Sequence, residues 1–254
     1  MNFGLKLYST NSNYVVEAHR LFAEGFLQYV ELGIVPGSYA EFHKLWQQLS
    51  IPFVIHAPVY HPQKPGINLA RSELCSENLK HAKEVVAFAD CLQANEIIFH
   101  GGTDGTKEET VLQLQKINDS RILIENKPHY SLHENKVCVG STPEEVAFMK
   151  QQANVRFCLD VGHAYFAANA LQKNHFEFVQ SFLKLEPCMF HLCDGNQASS
   201  LDQHKHFGEG DFDIQGMLRL LPAQAKITIE TPKNSLDDFR DFQKDICFLR
   251  ELLT

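Results

Sequence analysis

Apolar runs of β character alternate with segments of helical period along the whole chain, and no linker-like or low-complexity stretch interrupts them. Residues 3–8, 28–34, 51–56, 96–100, 121–125, 155–160, 188–193 and 226–230 read as strands. Helices are predicted over 14–24, 38–48, 72–92, 107–117, 175–185, 214–221 and 236–253, with another starting at Thr142. Thr142 followed three residues later by Glu145 has the form of a capping box, in which each side chain satisfies an otherwise unpaired amide. Eight β-then-α units predict an α/β protein folded as a single (β/α)8 TIM barrel, one domain over residues 1–254. A doubly wound open sheet is the alternative. It is weakened because no G-x-G-x-x-G turn follows an early strand.

Composition fits this picture. With 254 residues, 44% of them hydrophobic, the chain has material for one barrel core. No window approaches a membrane-spanning apolar run, and the first ten residues, MNFGLKLYST, lack the features of a signal peptide. The seven cysteines are scattered, odd in number and without a C-x-x-C pair, so they read as free thiols in a reducing, cytoplasmic setting. The formal net charge of −8 argues against an extended DNA-binding surface and in favour of a small partner.

The chemistry gathers at the strand ends. His56, His100, Glu125, Asp160 and Glu230 each close a strand, and His191 lies within one. His163 follows in DVGH, and Asp202 and His204 sit in the polar loop between Phe190 and Asp213. A lone histidine at a strand end is most often a satisfied hydrogen-bonding residue. In a barrel, however, all strand C-termini open on one face, where active sites are built. These nine residues would then surround one pocket, and imidazoles crowded against carboxylates call for a divalent cation. Histidines mixed with carboxylates suit Zn2+, Mn2+ or Fe2+ better than Mg2+ or Ca2+. One ion rarely takes more than six ligands, so either several ions bind or some residues meet substrate. Glu31, Lys127 and His206 are candidate substrate contacts, and His206 is an alternative to His204 as a ligand. His19, His43, His61, His81, His133 and His175 are assigned to surface or packing roles.

The segments HAP with INLA (from His56 and Ile67), FHGG, IENK, LDVGHA, FHLCDG, DQHKHFGEGDFD and IETP resemble the xylose isomerase-like TIM barrel superfamily. That superfamily includes sugar or sugar-phosphate isomerases and epimerases and endonuclease IV (AP endonuclease family 2). The endonuclease IV resemblance implies three zinc ions. His56, His100 and Glu125 would hold one, and Glu125 would bridge to a second held by Asp160, His191 and Glu230. His163, Asp202 and His204 would hold the third. The epimerase resemblance implies a single ion on Glu125, Asp160, His191 and Glu230, the two glutamates moving a proton beside a carbonyl.

Three functions follow. The first in order is a divalent-metal-dependent (Zn2+ or Mn2+, one to three ions) sugar or sugar-phosphate isomerase or epimerase. Its catalytic residues would be Glu125 and Glu230, its partner a small molecule, with a homodimer conceivable and no membrane involved. The alternative is an endonuclease IV-like phosphodiesterase acting on abasic-site DNA. The loop after the second strand, ELGIVPGSY, lacks the arginine expected for insertion into a duplex, and Tyr60 is the candidate wedge. A non-catalytic sugar-binding barrel comes third, because no ligand type is missing.

Overall fold

Each strand needs a partner for its backbone groups, and eight of them close on themselves here. In the computed structural model, which describes residues 1–59, 61, 63–132 and 136–253, the strands form one closed parallel barrel in the order β1 to β8. Tyr60 and His133 lie outside the described residues. The strands are β1 Asn2–Tyr8, β2 Tyr29–Gly33, β3 Phe53–His56, β4 Ile97–His100, β5 Ile122–Glu125, β6 Arg156–Asp160, β7 Met189–Leu192 and β8 Lys226–Ile229. The helices outside them are α1 Val15–Ala23, α2 Tyr39–Gln47, α3 Cys75–Cys91, α4 Lys107–Ile117, α5 Pro143–Ala153, α6 Val161–Ala170, α7 His175–Leu183, α8 Ile214–Leu220 and α9 Arg240–Leu252. No described helix is long and apolar enough to cross a membrane.

The barrel is filled by side chains. Tyr29, Val54, Ile98, Leu123, Cys158 and Met189 form a buried cluster of their own inside it. Gly4 completes that layer by having no side chain, since a Cβ there would fall 2.2 Å from the Tyr29 ring. The Tyr29 hydroxyl is satisfied by Thr228 Oγ1 at 2.9 Å. Outside the strands, the main core joins the inner faces of the helices to the barrel wall, with Trp46, Phe88, Phe99 and Phe242 among its largest fully buried members.

Three departures from the sequence expectation have local causes. Helix α6 follows Asp160 directly and has no counterpart among the predicted helices. Residues 161–168 are buried on every side, so the segment carries no amphipathic period. The closing helix starts at Arg240 rather than at 236, because Ser235 Oγ accepts from Asp237 N and Asp238 N (3.1 and 3.2 Å) and folds the intervening stretch into a turn. At α5, Thr142 Oγ1 does accept from Glu145 N (3.3 Å). The glutamate, however, reaches back to Gly140 N and Ser141 N (3.1 and 3.0 Å), so the reciprocal bond serves the preceding turn.

Candidate metal centre

Side chains alternate along a strand, so the residue two places beyond each interior-layer position faces the same side, one layer nearer the C-terminal mouth. Counting two on from Val54, Ile98, Leu123, Cys158 and Met189 gives His56, His100, Glu125, Asp160 and His191. From Tyr29, Thr228 and Gly4 it gives Glu31, Glu230 and Lys6. Every strand thus contributes one titratable group to a single ring above a dry floor. The parallel register sets His100 beside Glu125 and Asp160 beside His191.

Donor atoms converge in four groups of three, the first three sharing members and the fourth separate: His56, His100 and Glu125; Glu125, Asp160 and His191; Glu31, His191 and Glu230; and His163, Asp202 and His204. Within each group the donor atoms lie within 4.8 Å of one another. Most of the histidine rings are fixed by an acceptor on their far side. His56 Nδ1 donates to Ala57 O (2.8 Å), His163 Nδ1 to Asn126 O (2.9 Å) and His204 Nδ1 to Glu230 O (2.7 Å). Carbonyl oxygens only accept, so in the neutral rings the opposite nitrogens carry the lone pairs. Those nitrogens face carboxylates: His56 Nε2 lies 3.2 Å from Glu125 Oε2, and His204 Nε2 3.2 Å from Asp202 Oδ2. His191 is turned the other way. Its Nε2 bonds Glu31 Oε2 at 2.9 Å, and its Nδ1 looks inward to Glu230 Oε1 (3.1 Å) and Glu125 Oε1 (3.4 Å). A carboxylate behind an imidazole is the usual way to orient a metal-ligating histidine.

Asp160 has two tasks. Its Oδ1 caps α6 by accepting from His163 N at 2.7 Å, while Oδ2 faces the His163 and His191 rings. The D-x-x-H spacing therefore joins a helix cap to a pair of candidate ligands. The loop carrying Asp202 and His204 is closed by Asp194, a buried carboxylate that accepts from Gly195 N (2.8 Å), Gly208 N (2.9 Å), Gly210 N (3.0 Å) and Phe212 N (3.3 Å). A backbone bridge between Asp194 and Lys205 pins the same loop (3.1 and 2.9 Å).

The residues fit a cation. His100 Nδ1 and Nε2, His191 Nδ1 and Asp202 Oδ1 are buried without a hydrogen bond, a state that costs about 1–3 kcal/mol per group unless a ligand satisfies it. Protons partly substitute. Burial opposes charge on His163, but Asp160 and Asp202 beside it raise its imidazole to about 10. Burial lowers His100 to about 3, with Glu125 beside it opposing the shift. Glu125 is itself buried, yet His100 and His191 hold its carboxyl well below the ordinary range.

Above the ring lies a cavity of about 360 Å³. His56, His100, Glu125, His163, Asp202, His204 and Glu230 all line it, and so does Lys127. Asp160 and His191 sit beneath, buried in the ring. Glu31 is also below the surface, bonded to His191, Thr228 Oγ1 (2.6 Å) and Lys6 (3.1 Å). His206 is not among the lining residues. Its Nδ1 bonds Asp245 Oδ2 at 2.8 Å, and that carboxylate also accepts from Thr231 Oγ1 (2.6 Å). Two lining lysines escaped the sequence reading. Lys6 on β1 pairs with Glu31 and Glu230, and Lys233 follows β8. Counting two on from Gly4 would have found Lys6. Nothing in the sequence marks Lys233.

A closed parallel barrel carrying a histidine–carboxylate ring at its C-terminal mouth is the class of protein that these features define. The family model described as the xylose isomerase-like TIM barrel, AP endonuclease 2, matches residues 20–252, and the chain belongs to that family. Probable endonuclease 4 of Thermoplasma volcanium is 27% identical over 206 residues, covering 74% of this chain and 70% of its own. The structure of endonuclease IV from Thermus thermophilus superposes with a TM-score of 0.72 at 21% identity, covering 100% of this chain and 99% of that one. The 3-keto-D-glucoside 4-epimerase of E. coli, in its apo form, superposes with a TM-score of 0.67 at 12% identity, covering 99% of each chain. At these identities the two structural likenesses speak to the fold.

Proposed function

We propose that the chain is a divalent-metal-dependent phosphoester hydrolase with a multinuclear centre, of the endonuclease IV kind. The observation that carries this reading is the triad His163, Asp202 and His204, which forms a complete donor group apart from the four residues that an epimerase centre would need. The likeness to a probable endonuclease 4 supports it. His56, His100 and Glu125 would hold one ion, Glu125 with Asp160, His191 and Glu230 a second, and the triad a third. Zn2+ and Mn2+ suit this donor set. Bound ions supply charge neutralisation at the phosphoryl oxygens and an acidified water at neutral pH.

The chain's own residues do the positioning. Glu31 fixes the His191 ring so that Nδ1 faces the centre. Lys6 keeps Glu230 ionised, its carboxyl lowered to about 2 although burial opposes the charge. The Ala57, Asn126 and Glu230 carbonyls fix the His56, His163 and His204 rings before any ion arrives. The unpaired cysteines support a reducing, cytoplasmic location.

A duplex oligonucleotide with one abasic site tests the reading. Nicking should occur with about three ions per chain by elemental analysis and stop on chelation. An intact duplex with a fully loaded protein would refute it.

A sugar or sugar-phosphate isomerase is the second reading, and one observation favours it. Glu125 and Glu230 flank His191 Nδ1 at 3.4 and 3.1 Å, on the floor of a cup that no arginine lines among the described residues. Such a pair can pass a proton between neighbouring carbons. Metal-dependent incorporation of deuterium from solvent into ketoses or their phosphates, without nicking of abasic DNA, would establish it.

A further inference from the structure

Metal-type donors occupy only part of the rim. Apart from Glu31, which lies below the surface, they come from the ends of β3 to β8 and the segments that follow them, whereas β1 and β2 present Lys6, Tyr8 and Gly33 to the cavity. Because β8 pairs with β1, the segment after Glu230 borders this open side, and it brings Lys233. Lys233 is half-buried, and its Nζ donates to Thr231 O at 2.7 Å. Unlike Lys6, it has no carboxylate within ion-pair distance among the described residues. In a chain with 31 acidic and 23 basic residues, carboxylate partners are plentiful, yet Glu230 and Asp245 act on this ammonium only from beyond ion-pair distance, which leaves its remaining donors free for a ligand in the cavity. Burial lowers Lys233 to about 8, which still leaves it mostly charged at neutral pH. Asn11 lines the same cavity. Its Oδ1 is taken by Tyr8 N at 2.8 Å, so the amide nitrogen is the donor left over.

We infer that Lys233, with Asn11, seats a phosphate group of the substrate other than the one undergoing reaction. The inference rests on reading the cup as an active site for phosphate-bearing substrates. The phosphate is either the terminal monoester of a small sugar or a flanking diester of a nucleic acid backbone. A volume of about 360 Å³ lies at the low end of the roughly 300–1,000 Å³ usual for small-molecule pockets, room for one such group beside the reacting centre.

Metal-loaded wild type, Lys233→Gln and Lys233→Arg would be compared with three probes: ribose, ribose 5-phosphate and an abasic-site duplex. Calorimetry should show that wild type binds ribose 5-phosphate at least about tenfold more tightly than ribose. Lys233→Gln should lose that preference and Lys233→Arg keep most of it, with metal content equal in all three, as expected for a charged hydrogen bond. If the loss appears instead as a rise of about tenfold in KM for the duplex with kcat unchanged, the phosphate is a backbone diester. Wild-type behaviour of Lys233→Gln toward both phosphorylated probes overturns the inference, as does an equal loss for ribose and ribose 5-phosphate. Failure of the hydrolase reading shows separately, as absence of nicking by the wild type.

Discussion

Replacing Asp194 by Asn tests whether the loop bearing Asp202 and His204 is held by one carboxylate. One oxygen of Asp194 accepts from Gly208 N and Gly210 N, the other from Gly195 N and Phe212 N. Whichever way an amide is turned, its NH2 meets two of these N–H groups, so two bonds to a charged acceptor are lost and two donors face a donor. Hydrogen bonds to charged groups contribute about 1.5–3 kcal/mol each. Gly208 is exposed, and water reaching it offsets part of the loss, which leaves about 3–5 kcal/mol. That is a large share of the roughly 5–15 kcal/mol that stabilises a domain. At about 2–4 °C per kcal/mol for a chain of this size, the melting temperature should fall by about 6–20 °C. Elemental analysis should show about one ion fewer per chain, because Asp202 and His204 leave with the loop. A shift under about 2 °C with the full metal complement would show that the loop closes without Asp194.

Three other outcomes are expected. His204→Ala should lose about one ion per chain while the circular dichroism spectrum stays that of the wild type; an unchanged count would remove His204 from the ligands. Glu31→Ala should weaken metal binding about 10–100-fold in a chelator competition, since nothing then orients His191, and wild-type affinity would argue that the ring is held by packing alone. His163, raised to about 10, must shed its proton before Nε2 can bind an ion, so affinity should climb from pH 6 towards pH 10 with proton release on loading. A flat profile would contradict that assignment.

Much of this architecture is written in short-range periodicity. Strand alternation carries the barrel order and the strand-end donors from His56 to Asp160, because buried parallel strands are apolar runs whose last inward residue is free to be polar. What escaped depends on three-dimensional neighbours. Helix α6 lacks a polar face, and Lys6 in a strand resembles an outward-facing residue until β2 and β8 bring Glu31 and Glu230 to it. His206 could not be told from His204 by spacing in a loop. Asp245 on α9, thirty-nine residues away, is the group that turns its ring aside.

The lysines also bear on the order in which the cup fills. Lys6, Lys127 and Lys233 stand against Glu31, Glu125, Asp160, Asp202 and Glu230 in and just beneath it, a balance of two negative charges once the histidines are neutral, as metal ligands must be. On the proposed reading, two divalent ions would add four positive charges there, and the same opening would then draw in an anion. A protein of net charge −8 would in this way present a local positive potential once loaded, so that under the proposed function ion occupancy would favour substrate entry.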